Sequence, residues 1–384
     1  MLSRLLGTFV VIGLFSGLSY GIPNRPEKLA TQETKAEKID VDHFAENYYL
    51  HKDGEKLIAY LKYVDEQKIL DDSPGAVDPT IGFLTGIFAE ESTATRLASC
   101  QPYAGKMKEA VQQALWMSGH GAAIQNIFGE TPEFAKQKPT TLATFAIKTA
   151  GDLDKLWGAF MGSGEVSHVR RIIDVLDERV ALSGNEKEDL VIRAAASWSL
   201  ESNMQQHELV HRLIAKESKS RKGAVQDKLR EMLKSIPSTN LGKKDGDFTA
   251  MLVVMDAKHS DEFRKPEDEG VKLRQKSKAK PEDVVHIMIM FTGQDLTEDL
   301  NSDVRYNLRV LDPDGNVYCG MDNKNLEGVV GRIRTRFSFY NNRQVVAIAF
   351  EPKDKRGIYK IHAEVFDKVG NKSLELDQQI ELTD

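Results

Sequence analysis

The spacing of apolar residues changes once along this 384-residue chain, near Ile236, and one fold class cannot accommodate both halves. Before that point the apolar positions recur at three- and four-residue steps, which lines one face of a helix. Leu57, Ile58, Leu61 and Val64 follow this pattern, as do Val111, Ala114 and Leu115. Ile172, Ile173, Leu176 and Val180 repeat it, predicting a helix over 169–180. After the change the step becomes two. Val304, Tyr306, Leu308 and Val310 alternate with Arg305, Asn307 and Arg309, as a strand with one wet face requires. The expectation is an α domain over 40–235, a linker over 236–247 and a β domain over 248–384.

Punctuation supports both halves. Pro79, Pro132 and Pro139 sit where helices could begin, and Asp152 is a plausible N-cap. Ser163-Gly164 and Ser183-Gly184-Asn185 are short breaks that suit antiparallel helix connections. Together these predict stacked helical hairpins, as a bundle or a short solenoid. In the second half, strands are expected at 248–255, 304–310, 333–339, 345–350, 359–365 and 374–382. Asp312-Pro313-Asp314-Gly315-Asn316 and Val369-Gly370-Asn371 supply turns. Short strands at this spacing predict an immunoglobulin-like antiparallel β-sandwich. It would lack a core tryptophan, since the last tryptophan is Trp198. The charged segment 258–280 is expected to be a long loop.

The amino-terminal residues predict export. Arg4, an apolar stretch over 5–15, and small Ser19 and Gly21 form a leader with cleavage after Gly21. Residues 22–39 are polar and predict a flexible tether. No later segment approaches 18 uninterrupted apolar residues, so no membrane span is expected after cleavage. A net charge of −6 from interspersed signs argues against nucleic acid as a partner. The two cysteines, Cys100 and Cys319, fall in different predicted domains and are expected as unpaired, buried thiols.

One motif could carry chemistry. His207-Glu208-Leu209-Val210-His211 reads H-E-x-x-H, and on a helix the two imidazoles would share a face. This resembles the zincin metallopeptidase motif. The resemblance implies zinc on His207 and His211, Glu208 as general base, and Glu231, 20 positions after His211, as a third ligand. Against it, no strand is predicted upstream to back such a helix. Val210, Leu213 and Ile214 also form a buried stripe, with the histidines at its edge and Glu208 and Arg212 as an exposed i,i+4 pair. The expectation is therefore no catalytic, cofactor or metal site.

Weaker candidates are Asp295, Glu298, Asp299 and Asp303, which crowd one loop without the glycine and spacing of an EF-hand. Trp116, Trp157 and Trp198 lie in helical apolar patterns and are expected as core anchors. There is no G-x-S-x-G and no P-loop.

Residues 197–207 (SWSLESNMQQH), 303–320 (DVRYNLRVLDPDGNVYCG) and Phe291-Thr292-Gly293 are similar to segments of exported proteins of Gram-negative bacteria that pair helices with a β-sandwich. That resemblance implies a periplasmic or secreted compartment and this architecture, and it includes no catalytic motif. The expected function is non-enzymatic binding of a protein or peptide. The alternative is a zinc-dependent hydrolase using His207, Glu208, His211 and Glu231.

Overall fold

The computed structural model describes residues 41–89, 91–236, 242–260, 274–342 and 346–384. The expected leader (1–21) and tether (22–39) lie outside the described residues. The chain divides at Ile236 into two compact units.

The first unit is helical. Its elements are α1 (Val41–His51), α2 (Gly54–Glu66), α3 (Ile69–Asp72), α4 (Val77–Ile87), α5 (Glu91–Ala98), α6 (Gly105–Met117), α7 (Ala122–Phe128), α8 (Ala150–Ser163), α9 (Val166–Asp174), α10 (Glu186–Gln206), α11 (Glu208–Ser220) and α12 (Ala224–Lys234). The pair α4 and α8 lies at the centre, and glycine is the reason. A Cβ on Gly82 or Gly86 would collide with the carbonyls of Lys155 and Ala159; one on Gly158 or Gly162 would collide with those of Pro79 and Phe83. The partners advance together along both helices, so the two run parallel with their backbones touching over two turns. Leu84, Leu156 and Phe160 are fully enclosed around this contact.

Local signals account for the ends of α8. Thr149 is its N-cap, and Asp152 at the third helical position reaches back to the Thr149 backbone N–H at 3.0 Å, forming a capping box. Asp152 therefore completes the cap instead of being the N-cap. Gly164 ends the helix at φ +80°. Pro79 lies inside the first turn of α4, and Pro132 precedes a single 3₁₀ turn, Glu133–Lys136. No helix follows Pro139 until Ala150. Arg171 pins the intervening segment by donating to the Leu142 and Phe145 carbonyls.

The expected helix over 169–180 is shorter. It stops at Asp174, and Val180 is exposed. Arg193 from α10 donates to the carbonyls of Val175, Asp177 and Val180, satisfying acceptors that a continuing helix would have used.

The second unit contains β1 (Lys243–Asp245), β2 (Phe248–Asp256), a short helix α13 (Ala257–Ser260), β3 (Lys278–Ala279), β4 (Val284–Thr292), β5 (Asn301–Leu311), β6 (Val317–Arg332), β7 (Tyr340–Asn341), β8 (Val346–Ala349), β9 (Gly357–Asp367) and β10 (Lys372–Leu382). They form two five-stranded sheets. One runs β1-β2-β4-β7 with β8 also on β4; the other runs β3-β10-β9-β5-β6. Pairing is antiparallel throughout except for β3, which joins β10 in parallel. Alternate residues of both sheets, among them Phe248, Ile287, Phe291, Tyr306, Val310, Tyr359 and Ile361, form one apolar core. A second, smaller cluster of Val253, Met255, Met288 and Met290 lies on the other face of β2 and β4.

Four sequence expectations change here. Lys243–Asp245, inside the expected linker, pairs with β2 through a Gly246-Asp247 turn, because its backbone groups find partners there. Residues 333–339 are not a strand. The pairing capacity of β5 is taken by β6, which runs to Arg332 with register shifts along its length. The segment 258–280 is not wholly loop, since Lys278–Ala279 adds an edge strand. Cys100 and Cys319 are free thiols in separate units, but both are exposed instead of buried. Cys100 follows the end of α5, and Cys319 holds a left-handed φ of +47° in β6, so neither side chain enters a core.

Candidate interaction face on helix α10

Helix α10 joins the two features that the sequence singles out, Trp198 and the H-E-x-x-H stretch. Asn185 caps it by accepting from the Lys187 N–H, and Glu186, Glu188 and Asp189 place negative charge in its first turn. Inward, Ile192, Ala196, Leu200 and Met204 form an unbroken i,i+4 ladder of buried residues. Two side chains then lock the helix to the preceding loop. Asp189 accepts from the Ser183 N–H and hydroxyl, both at 2.7 Å, and those bonds hold its carboxyl below the usual range. Arg193 holds the carbonyls described above. The helix is thus fixed from one side and at one end.

Its outer face is apolar as well. Leu190 is 69% exposed, Val191 51% and Trp198 52%. Ala194, also exposed, lies between them. A surface helix usually turns charged residues outward, so a second apolar stripe opposite the buried ladder marks a face built to be covered. Trp198 is therefore not a core anchor. Trp157 is buried edge-on to Phe160, and Trp116 lies half-buried against Phe134 with its indole N–H donating to the Gln137 carbonyl. Two interleaved ladders, 190/194/198 and 192/196/200/204, were the signal available in the sequence.

The H-E-x-x-H residues do not make an open helix edge. His207 has an extended backbone (φ −129°, ψ 112°), ends α10 and caps α11, so the helix breaks at the first histidine. Its ring is 0% exposed. Nδ1 lies 3.1 Å from the Tyr49 hydroxyl, and the imidazole packs against the rings of Tyr49 and Phe160 at 5.7 and 5.6 Å. Glu208 is also 0% exposed and is ion-paired to Arg212 at 3.1 Å, so the expected exposed pair is half inside. Val210, Leu213 and Ile214 are buried as the stripe requires. Glu231 is exposed on α12. Among the described residues no group of three His, Cys, Asp or Glu side chains converges as a metal site would.

Nearby carboxylates have structural partners. Glu217 of α11 accepts from Arg170 at 2.9 Å and Arg221 at 2.8 Å, and Arg221 also reaches Asp174, tying α9 to α11. In the β unit, Asp295 is held by Arg336 at 3.0 Å and Lys372 at 2.9 Å, with its N–H donating to buried Asp367. Asp303 pairs with Arg305 at 2.8 Å, while Glu298 and Asp299 face solvent. Among the described residues these acidic side chains do not converge as a metal site would.

No protein-family model matches the chain, and no curated protein does. Among solved structures it is similar to a family 123 glycoside hydrolase from Clostridium perfringens, at 13% identity and a TM-score of 0.23 over 36% of this chain and 27% of that one. The chain thus spans about a quarter of the hydrolase's length. An immunoglobulin-like protein from Pseudomonas aeruginosa is similar at 17% identity and a TM-score of 0.19, over 36% of this chain and 94% of that one. The alkylpurine DNA glycosylase AlkC of Pseudomonas fluorescens is similar at 12% identity and a TM-score of 0.20, over 89% and 76%. Likeness of this degree transfers neither activity nor ligand. None of the described helices is long and apolar enough to cross a membrane.

Proposed function

We propose that this chain is an exported, non-enzymatic binding protein, periplasmic or secreted, whose helical unit offers the outer face of α10 to a protein partner. The observation that carries the reading is the exposure of Leu190, Val191 and Trp198 on a helix already filled on its inner side. A tryptophan at the centre of a rigid face is the kind of anchor from which protein interfaces draw most energy, and the aliphatic neighbours exclude water around it. The β unit, read as an immunoglobulin-like sandwich, would serve as a spacer or second contact module. The leader pattern over residues 1–21 and the resemblance to exported proteins support the compartment. The zinc-hydrolase alternative would need His207 to leave its aromatic cage and Glu208 to reach water, and its enclosed geometry disfavours both.

A photoreactive benzophenone at position 190, introduced in the native cell, tests the reading. Discrete protein adducts are expected there and not from position 216, which is exposed on α11. Equal or absent labelling at the two positions would sink it. Export is tested by mass spectrometry of the mature chain, which should begin at Ile22 in the envelope fraction. Recovery of an intact residue 1 from the cytoplasm would overturn the compartment.

A further inference from the structure

We propose that the partner at this face is a second copy of the chain, with α10 packed antiparallel against α10 about a two-fold axis passing near Ala194. The inference rests on the reading of α10 as an interaction face and names its occupant.

The argument is the symmetry of the outer stripe. At 3.6 residues per turn, Lys187 and Glu201 lie within roughly 20° of the line through Ala194, and Leu190 and Trp198 within roughly 40°. Lys187 and Glu201 stand equally far before and after Ala194, and so do Leu190 and Trp198. A two-fold axis at Ala194 therefore sets Lys187 of one copy against Glu201 of the other, and Leu190 against Trp198, each contact occurring twice. Isologous interfaces require this self-complementarity.

Charge agrees with it. Lys187 and Glu201 are the only charged residues within roughly 60° of that line, their signs are opposite, and neither side chain has an ion-pair partner among the described residues. A partner of unrelated sequence would have no need of equal spacing or opposite sign around the centre. Ala194 at the crossing point lets the helix axes approach to about 8 Å, at the close end of helix packing. The buried ladder and the clamps from Asp189 and Arg193 hold the face in place, so little order has to be created on association. One helix face buries less than about 1,200 Å² in total, the size class of weak, transient interfaces.

Sedimentation equilibrium of the mature chain between about 1 and 100 μM is the test. A monomer–dimer equilibrium is expected. Lys187→Glu and Glu201→Lys should each weaken it roughly tenfold by setting like charges opposite one another, and the double exchange should return it to within about threefold of the original. Trp198→Ala should abolish the dimer without changing helical content, since that ring is half in solvent. A chain that stays monomeric to about 100 μM overturns the proposal, and so does a dimer indifferent to these changes. A monomer whose position 190 still labels one other protein would remove the second copy as partner and keep the interaction face. A monomer with no selective labelling would remove both.

Discussion

The imidazole of His207 shows how one residue's environment reverses a motif-level reading. An exposed helix edge would make its removal harmless. Enclosed between Tyr49 and Phe160, with a hydrogen bond to the Tyr49 hydroxyl, it fills core volume. His207→Ala should therefore destabilise the helical unit by about 2–4 kcal/mol, read by chemical denaturation. An unchanged midpoint would mean the ring is not enclosed. Glu217 gives a pH-dependent counterpart. Burial pushes its carboxyl up, but the hydrogen bonds from Arg221 and Arg170 outweigh burial and hold it below the usual range. A depressed folded-state pKa adds stability above the unfolded value, near 4.3, and that stability is lost as pH falls through the folded value. Glu217→Gln should thus cost about 1 kcal/mol at pH 7, discounted for the solvent around Arg170, and its deficit should shrink as pH falls through the depressed folded-state value. A deficit constant with pH would assign the effect to packing instead of charge. Neither environment could be read from the sequence, because Tyr49 and Phe160, like Arg170 and its partner, are brought together across distant segments.

Helix α8 shows what an element's own sequence does and does not reveal. Its capping box and terminal Gly164 are local, and the break at Ser163-Gly164 was legible in sequence. The glycines at 158 and 162 were not interpretable alone. Only beside Gly82 and Gly86 of α4 do they become the contact that lets two backbones touch. In an exposed helix Gly→Ala usually stabilises, because glycine loses more freedom on folding. Here Gly158→Ala should do the opposite, by about 3 kcal/mol, since the new methyl has backbone on both sides and nothing flexible to displace. Thermal unfolding followed by circular dichroism checks the sign; a raised midpoint would show that α4 and α8 are not in backbone contact. Helix α10 failed in the other direction. The helical apolar pattern around Trp198 shows that a face is covered without showing which of two faces, so the expectation of a core anchor there does not hold.

At the scale of the whole molecule, each unit owns a core, so each should fold alone. The fragment 41–236 should retain helical circular dichroism and a cooperative melt, and the fragment 237–384 should show a β spectrum with its own transition. Failure of either fragment to fold would mean that the cores depend on one another. The sequence by itself determined the order of the classes, helix before sheet, together with the boundary near Ile236. It also placed five of the ten described strands and several helix ends, because periodicity, caps and turn residues act through neighbours a few positions away. Tertiary structure alone decided the parallel α4–α8 contact, the enclosure of His207 and Glu208, and the pairing of Lys243–Asp245 into a sheet. It also decided which side of α10 faces out. Those outcomes depend on which distant segments meet, and burial of a side chain or closeness of two backbones is a property of the pair.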